Sequence, residues 1–312
     1  IMNKWQKIGL AVGMGTAVIT TTHLINSIIF KLSTANNYTG KRIRSNYQWK
    51  FGNIAYITAG SGSPLLLIHD LNSYSSSYEW EQTINSFAKN HKVYAIDLLG
   101  CGHSDKPNLT YTTFMYTQLI NDFVLNVIRS KTDVVATAGS TPIVIMAAFN
   151  NHALFIILVS PLSVEDALKG PDNLSGIRRH ILNVPVIGTS VYNILFNRPS
   201  LRKLLSKNFI DGRIPADYIN ACHENAHLGD ASAKYLFIST ECNFTTVTIS
   251  KALSELDNCI YMINGMHNNN DVIDEYIHIN PAIENVMIQD AKKLPQVEQP
   301  AEFVRQAEIF LN

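Results

Sequence analysis

A serine at a turn between a strand-like run and a helix-like run is the first place in this sequence where chemistry could occur. Residues 133–137 suit a short buried strand, and residues 142–148 form an apolar helical run. Ser140 lies between them, where a strand-turn-helix unit can form a nucleophile elbow, although Ala138 and Pro142 replace the usual flanking glycines. Serine is also a favoured residue at the start of a helix. Both interpretations of Ser140 are therefore open.

The composition is that of one large globular protein with no electrostatic attraction for nucleic acid. The 312 residues are 46% hydrophobic and 16% charged, with 25 basic and 25 acidic side chains and zero net charge. This length can supply one large core, with or without an insertion. The four cysteines have neither metal-site spacing nor the density of a disulfide framework, so we expect free thiols, no metal and no cofactor. They are Cys101, Cys222, Cys242 and Cys259.

The N-terminal region contains an uncharged run that is long enough to cross a membrane. Residues 8–30 form this run of 23 residues, and basic side chains lie on both sides of it. A bilayer core of about 30 Å needs roughly 20 apolar residues. We therefore expect a single-pass anchor within residues 1–32, with flanking charge that slightly favours a cytoplasmic body. One alternative is the signal peptide of a secreted protein, because residues 33–35 resemble a cleavage site. The other is an interfacial or partly buried helix, because the second half of the run contains polar residues such as His23 and Asn26.

After a polar linker at residues 33–46, strand-like and helix-like runs alternate. This alternation predicts a mainly parallel sheet that is covered by helices on both faces. Residues 162–257 instead break into short helical pieces that are interrupted by prolines. The predicted strands are residues 47–51, 53–58, 64–68, 92–96, 133–137, 154–159, 259–263 and 285–288.

Four motifs in this order resemble the α/β-hydrolase family over residues 47–312. They are the strand that ends at His69, the turn from Asp97 to Pro107, the elbow at Ser140, and the tail from Leu294 to Phe303. The resemblance implies an α/β fold with a mostly parallel, doubly wound sheet. It further implies that residues 47–161 and 258–312 form the core and that residues 162–257 form a helical cap over the active site. Ordinary helical packing with no role in substrate binding is the alternative for that segment.

The family uses a Ser-Asp-His triad in that order along the chain. The resemblance assigns Ser140 as the nucleophile, Asn268 to the position of the acid and Lys293 to the position of the base. Two of the three expected residue types are therefore absent. A lysine can act as a base near neutral pH only if its surroundings lower its pKa, at a cost of about 4 kcal/mol. A Ser140/Lys293 dyad thus requires an apolar environment.

Further residues complete the predicted site. His267 is the alternative base, because loops after neighbouring strands meet at one edge of the sheet; a surface histidine without a role is the other interpretation. The backbone N–H groups of Leu71 and Thr141 are the expected oxyanion hole.

Two functional hypotheses follow from these residues. The first is a membrane-anchored serine hydrolase that acts on an ester or another small acyl substrate with an atypical base. The second is a catalytically inactive module that binds an apolar ligand or a protein partner under the cap, because function depends on the site and not on the fold. Labelling of Ser140 by a fluorophosphonate probe would distinguish them.

Overall fold

The computed structural model describes residues 4–150, 154–256 and 260–311, which fold around one eight-stranded sheet. Its strands run side by side in the order β1-β2-β4-β3-β5-β6-β7-β8. β2 pairs antiparallel with β1 and β4, and the other neighbouring pairs are parallel. The strands are β1 (Ser45–Trp49), β2 (Gly52–Ala59), β3 (Ser63–Ile68), β4 (His91–Ile96), β5 (Thr132–Thr137), β6 (Leu154–Val159), β7 (Ile260–Gly265) and β8 (Glu284–Ile288). The predicted α/β fold with a mostly parallel sheet is confirmed, whereas the predicted start of the seventh strand at Cys259 lies outside the described residues.

Helices cover both faces of the sheet and fill the segment between β6 and β7. We call the stretch from α5 to α11 the cap segment. The helices are α1 (Lys4–Ser33), α2 (Ile84–Phe87), α3 (Thr113–Phe123), α4 (Thr141–Asn150), α5 (Val164–Leu168), α6 (Ser175–Asn183), α7 (Pro185–Leu195), α8 (Arg198–Ser206), α9 (Ala216–His227), α10 (Lys234–Glu241), α11 (Ser250–Glu255), α12 (Asp271–Ile279), α13 (Pro295–Glu298) and α14 (Pro300–Leu311).

The sheet separates two hydrophobic cores because its central strands are apolar on both faces. The last four side chains of β3 are all buried, as expected for a parallel strand that helices cover on both sides. On one face, Leu66 packs with residues of α3 and α4. On the other face, Leu65 and Leu67 pack with Trp80 and with Phe303 of α14. This packing fixes the carboxyl ends of β3, β5 and β7, where the ligand sites of open α/β sheets occur.

The C-terminal half of α1 packs against the cap segment. The Nδ2 of buried Asn26 donates to the Oγ of Ser190 at 3.1 Å, and Asn193 Nδ2 donates to Asn26 Oδ1 at 2.9 Å. Phe30, one turn further along α1, is also buried. Within the described ranges, no helix is both long and apolar enough to cross a membrane. The single-pass anchor predicted at residues 8–30 is therefore not supported, and Asn26, a polar residue within this run, hydrogen-bonds to α7.

Candidate functional site

The sharp turn after β5 lies two residues earlier than the sequence predicted. β5 ends at Thr137 in extended conformation, and Ala138 then takes a φ of 44°. A non-glycine residue in this left-handed region is strained, and a nucleophile elbow holds its nucleophile in such a strained strand-to-helix turn. The apex of the elbow is therefore Ala138, which presents a methyl group, and not Ser140. The small residues Ala136 and Ser140, two positions before and after the apex, are the signal that could have given this register.

Ser140 is turned back toward β5. Its side chain is fully buried, and its Oγ donates to the carbonyl oxygen of Thr137 at 2.8 Å. The backbone N–H and the hydroxyl of Thr141 both bond to the carbonyl oxygen of Ala138, the hydroxyl at 2.6 Å. The N–H of Thr141 thus closes the first turn of the helix. It does not point toward a site for an oxyanion.

A carboxylate occupies the position where an oxyanion hole is expected. The N–H of Gly139, which follows the apex, donates to Oδ1 of Asp70 at 2.8 Å. The other oxygen of Asp70 accepts a bond of 2.7 Å from the side chain of Asn72. The backbone nitrogen of Leu71, the other predicted donor, lies beside the elbow. A Cβ placed on Gly139 would be 3.5 Å from it. In the resemblance to the hydrolase motif, Asp70 replaces the glycine that normally follows the histidine.

A buried histidine positions the loop that carries this carboxylate. The ring of His69 accepts from the N–H of Leu98 at 3.0 Å through Nε2, and its Nδ1 lies 2.7 Å from the carbonyl oxygen of Asp70. These contacts assign the hydrogen to Nδ1. Burial lowers the pKa of His69, so the ring is neutral. His69 therefore has a structural role beneath the loop.

Below the elbow lies a polar network that the sequence did not reveal. Both oxygens of Glu79 are hydrogen-bonded, one at 3.2 Å from the N–H of Asp70 and the other at 2.9 Å from Nε2 of Gln296. Gln296 also reaches the hydroxyl of Thr137 at 3.3 Å. Burial raises the pKa of Glu79 to about 7, and the nearby carboxylate of Asp70 adds to this rise. The network ties the loop after β3, the end of β5 and helix α13 to one another.

The elbow opens into a polar cavity of about 410 Å³ that Lys293 also lines. Lys293 therefore lines the same cavity as Gly139 and Pro142 of the elbow. Ser140 is absent from the described lining. The cap segment contributes Lys169 and Lys207 to the cavity, so three lysines face it together with Asp70 and Asp166. The pKa of Asp166 is held below its usual value by a hydrogen bond from Lys169 and, more weakly, by the charge of Lys293.

The other two predicted site residues lie apart from the cavity. His267 is exposed, and its backbone N–H donates to the carbonyl oxygen of Ala291. Asn268 is half-buried, in a tight turn that its N–H closes on the carbonyl oxygen of Gly265. Neither residue is among the described residues that line the cavity. No cluster of three His, Cys, Asp or Glu side chains suited to a metal ion occurs in the described part of the chain.

An apolar groove of about 660 Å³ adjoins the polar cavity. Helices α6, α7, α8 and α10 form it, and Leu204 and Lys207 line both spaces. The groove and the cavity therefore meet along α8. The apolar side chains that line the groove are Ile181, Leu182, Val191, Leu195, Phe196, Leu204 and Phe237.

Comparisons with known proteins agree with this fold. The sequence profile of the Alpha/beta hydrolase family matches residues 65–306. A hydrolase of 2-hydroxy-6-oxo-6-(2'-aminophenyl)hexa-2,4-dienoic acid from Metapseudomonas resinovorans is 34% identical over 22% of this chain and 24% of its own length. A soluble epoxide hydrolase from Corynebacterium sp. is 30% identical over 37% of this chain and 38% of its own length, so the aligned parts span well under half of these curated relatives. The crystal structure of a serine hydrolase involved in carbazole degradation superposes with a TM-score of 0.71 and 16% identity over 86% of this chain and 98% of that one.

Proposed function

We propose that this chain, which belongs to the alpha/beta hydrolase family, has lost serine catalysis and binds an anionic amphiphile in the former substrate cavity. One observation carries the proposal. The apex of the elbow is Ala138, and the adjacent N–H of Gly139 already bonds to the carboxylate of Asp70. Membership of the family favours a hydrolase as the general class of protein, but the chemistry must come from the site.

Two requirements of acyl transfer are missing at this elbow. A methyl group at the apex cannot attack a carbonyl carbon, and the hydroxyl of Ser140 is buried and bonded to the carbonyl oxygen of Thr137. Oxyanion stabilisation depends on donors that point at developing negative charge. With Asp70 on the N–H of Gly139, a second negative charge at that position would be repelled. The backbone of a hydrolase is thus retained without its reactive groups.

The remaining features suit a ligand with a negative head and an apolar tail. The polar cavity places Lys207 and Lys293 where they can attract an anion, and the groove next to it is lined by aliphatic and aromatic side chains. Pockets of this kind bind ligands through apolar burial and orient them with a few polar groups. A long-chain carboxylate suits both spaces, with its head beside Lys207, which lines both of them, and its tail along α8.

The loss of catalysis can be tested with a fluorophosphonate probe and with p-nitrophenyl octanoate. We expect no labelling of the wild-type protein and no hydrolysis above background, with the same result for Ser140→Ala. The competing hypothesis is a serine hydrolase with Ser140 as nucleophile and Lys293 as base. It requires labelling and turnover that Ser140→Ala and Lys293→Met abolish to the same extent, because residues that act as a unit are not additive. That result would overturn the proposal.

Binding can be tested with dansyl-undecanoic acid, whose fluorescence rises in apolar surroundings. We expect Lys293→Met to weaken binding several-fold and Leu204→Glu to weaken it by tenfold or more, because Leu204 lines both spaces. Matched controls are Lys292→Met, the adjacent lysine, and Leu168→Glu, an exposed leucine on α5; neither lines the groove or the cavity. Equal effects of variants and controls would show that the probe binds elsewhere.

A further inference from the structure

The helices that form the groove also present apolar side chains to solvent. On α6, Ile177 is 59% exposed, and Ile181, one turn along, is half exposed. On α7, Ile187 and Ile194 lie seven residues apart on one side of the helix, and Ile194 is 65% exposed. Gly188 allows the two helices to approach closely, because a Cβ there would lie 1.7 Å from the carbonyl oxygen of Leu182 on α6. We call the exposed side of α6, α7 and α8 the cap face.

The cap face continues toward α1. With 100° between successive residues of a helix, Ile187 and Ile194 lie between Ser190, which contacts α1, and Val191, which lines the groove. The side of α1 directed away from the protein body is itself apolar and exposed. Its exposed apolar residues include Val18, Leu24, Ile25, Ile28 and Leu32. Apolar surface of this extent is uncommon on a monomeric protein and indicates an interaction site.

Helices α6, α7 and α8 together carry basic residues and no acidic ones, although Glu241 of α10 also lines the groove. Residues 173–210, which contain α6, α7 and α8, include six arginines and lysines and no aspartate or glutamate. The rest of the chain carries 19 basic and 25 acidic residues, so a chain of zero net charge has a cationic cap face. Five of the six basic side chains are exposed, and the sixth is half-buried. The exposed residues are Arg179, Arg198, Arg202, Lys203 and Lys207.

We propose that the cap face rests in the plane of an anionic lipid bilayer. Helices with an exposed apolar side and flanking basic residues insert shallowly into the interface, and acidic lipid headgroups attract the basic residues. This is a peripheral contact and not a span of the membrane. Three of the exposed side chains, Ile181, Leu195 and Leu204, also line the groove, so the groove opens on the surface that would meet the lipid. The proposal goes beyond ligand binding and does not depend on it.

The test is co-sedimentation of the full chain with two kinds of vesicle. One consists of phosphatidylcholine alone, and the other contains phosphatidylcholine with one quarter phosphatidylglycerol. We expect binding to the anionic vesicles that weakens in high salt, and at least tenfold weaker binding for Ile177→Glu/Ile194→Glu. The matched control is Ile309→Glu, because Ile309 on α14 has a similar exposed fraction of 60% but lies on a core helix. Failure of the wild type to bind, or equal losses for the variant and the control, would overturn the proposal.

A second variant tests the charge without changing the apolar residues. Each basic residue near an anionic surface contributes about fivefold to binding, so Arg198→Gln/Arg202→Gln should weaken binding by roughly 25-fold or less. Lys251→Gln on α11 is the control, since its side chain is also exposed. Unchanged binding by the double variant would contradict an electrostatic contact with lipid and thus the proposal.

Two measurements separate this proposal from dimerisation through the cap face and from binding of a ligand in the groove. Sedimentation velocity without lipid shows whether the cap face joins two copies of the chain. If the wild type is a dimer and Ile177→Glu/Ile194→Glu is a monomer, the cap face binds a second copy and not a bilayer. That result would overturn the proposal. Binding of dansyl-undecanoic acid without vesicles should be retained by the same variant. Loss of vesicle binding with retained probe binding therefore assigns the loss to the docking surface and not to the groove.

Discussion

The cavity beside the elbow has two sides that differ in what they keep from the hydrolase fold. We call the strand ends around Ala138 its floor and the helices of the cap segment its roof. The floor consists of strand ends, where Ala138 takes the strained backbone conformation of the elbow and presents a methyl group. It is buried and polar, with Glu79 and Gln296 bonded to one another. The roof consists of cap helices that are apolar and exposed on the outside. Close packing on both faces of the sheet therefore holds the backbone of the floor in place, whereas the outer side of the roof has fewer constraints and can vary its surface.

The largest expected effect comes from restoring chemistry to the floor. Because the backbone of the elbow is in place, Asp70→Gly/Ala138→Ser/Lys293→His should react with a fluorophosphonate probe. It should hydrolyse p-nitrophenyl octanoate at least about 1,000 times faster than the wild type, since a general base and an oxyanion hole each contribute 100-fold or more. The variant without Ala138→Ser is the control. Equal rates for the two variants would show that the apex is not where a nucleophile acts.

A smaller but substantial effect is expected when the polar network of the floor is broken. Gln296→Leu removes the donor to Oε1 of Glu79 and leaves a buried carboxylate without that bond. We expect the free energy of unfolding at pH 8 to fall by about 3–4 kcal/mol, measured by urea unfolding. Gln299→Leu, three residues along, removes an exposed hydrogen bond to Asp290 and should change it by less than about 1 kcal/mol. Similar losses for both would mean that the network does not stabilise the floor.

The floor should also respond to pH through Glu79. Its folded pKa of about 7 lies above the ordinary value of 4.5, so the folded state holds this proton more tightly than the unfolded state. The stabilisation from this proton is complete below pH 4.5 and is lost as the pH rises through 7, by up to about 3 kcal/mol. In Glu79→Gln this loss is absent, so the difference in unfolding free energy between wild type and variant should change between pH 5 and pH 8. A constant difference would contradict the raised pKa.

The smallest effects are expected on the roof. Ile177→Ser and Ile194→Ser change exposed side chains that are not packed in a core, and substitutions of this kind alter stability by about 0.5 kcal/mol or less. Thermal unfolding should therefore give nearly unchanged midpoints. A loss comparable to that of Gln296→Leu would show that the roof is as constrained as the floor, and the comparison between them would fail.

The sequence predicted the strands well because their signal is local, whereas the register of the elbow and the polar network depend on tertiary structure. A run such as residues 64–68 is apolar throughout because both of its faces are covered, and this is a local signal. The register of the elbow depends on which residue takes a positive φ. The sequence interpretation placed the elbow at Ser140 because of its hydroxyl group, whereas the positive φ occurs at Ala138. The contact between Glu79 and Gln296 joins positions 217 residues apart, which no local pattern encodes.

The interpretation of α1 as a membrane anchor is not supported, for a related reason. Hydropathy along residues 8–30 indicated a span, but the role of Asn26 depends on its partner Ser190, which lies 164 residues away in the cap segment. A polar residue within an apolar run therefore needs its tertiary contact before it can be interpreted.

The pairing of β6 with β7 has a consequence for synthesis of the chain. Ile156 on β6 pairs with Ile260 on β7, so the whole cap segment must emerge from the ribosome before this pair of strands can form. At 5–20 residues per second, synthesis of about 100 residues takes roughly 5–20 s. During that time β6, whose sequence is Leu-Phe-Ile-Ile-Leu-Val, presents an unpaired apolar edge of the kind that recruits other chains. The insertion that gives the molecule its roof thus also sets how long this edge of the nascent chain stays unpaired.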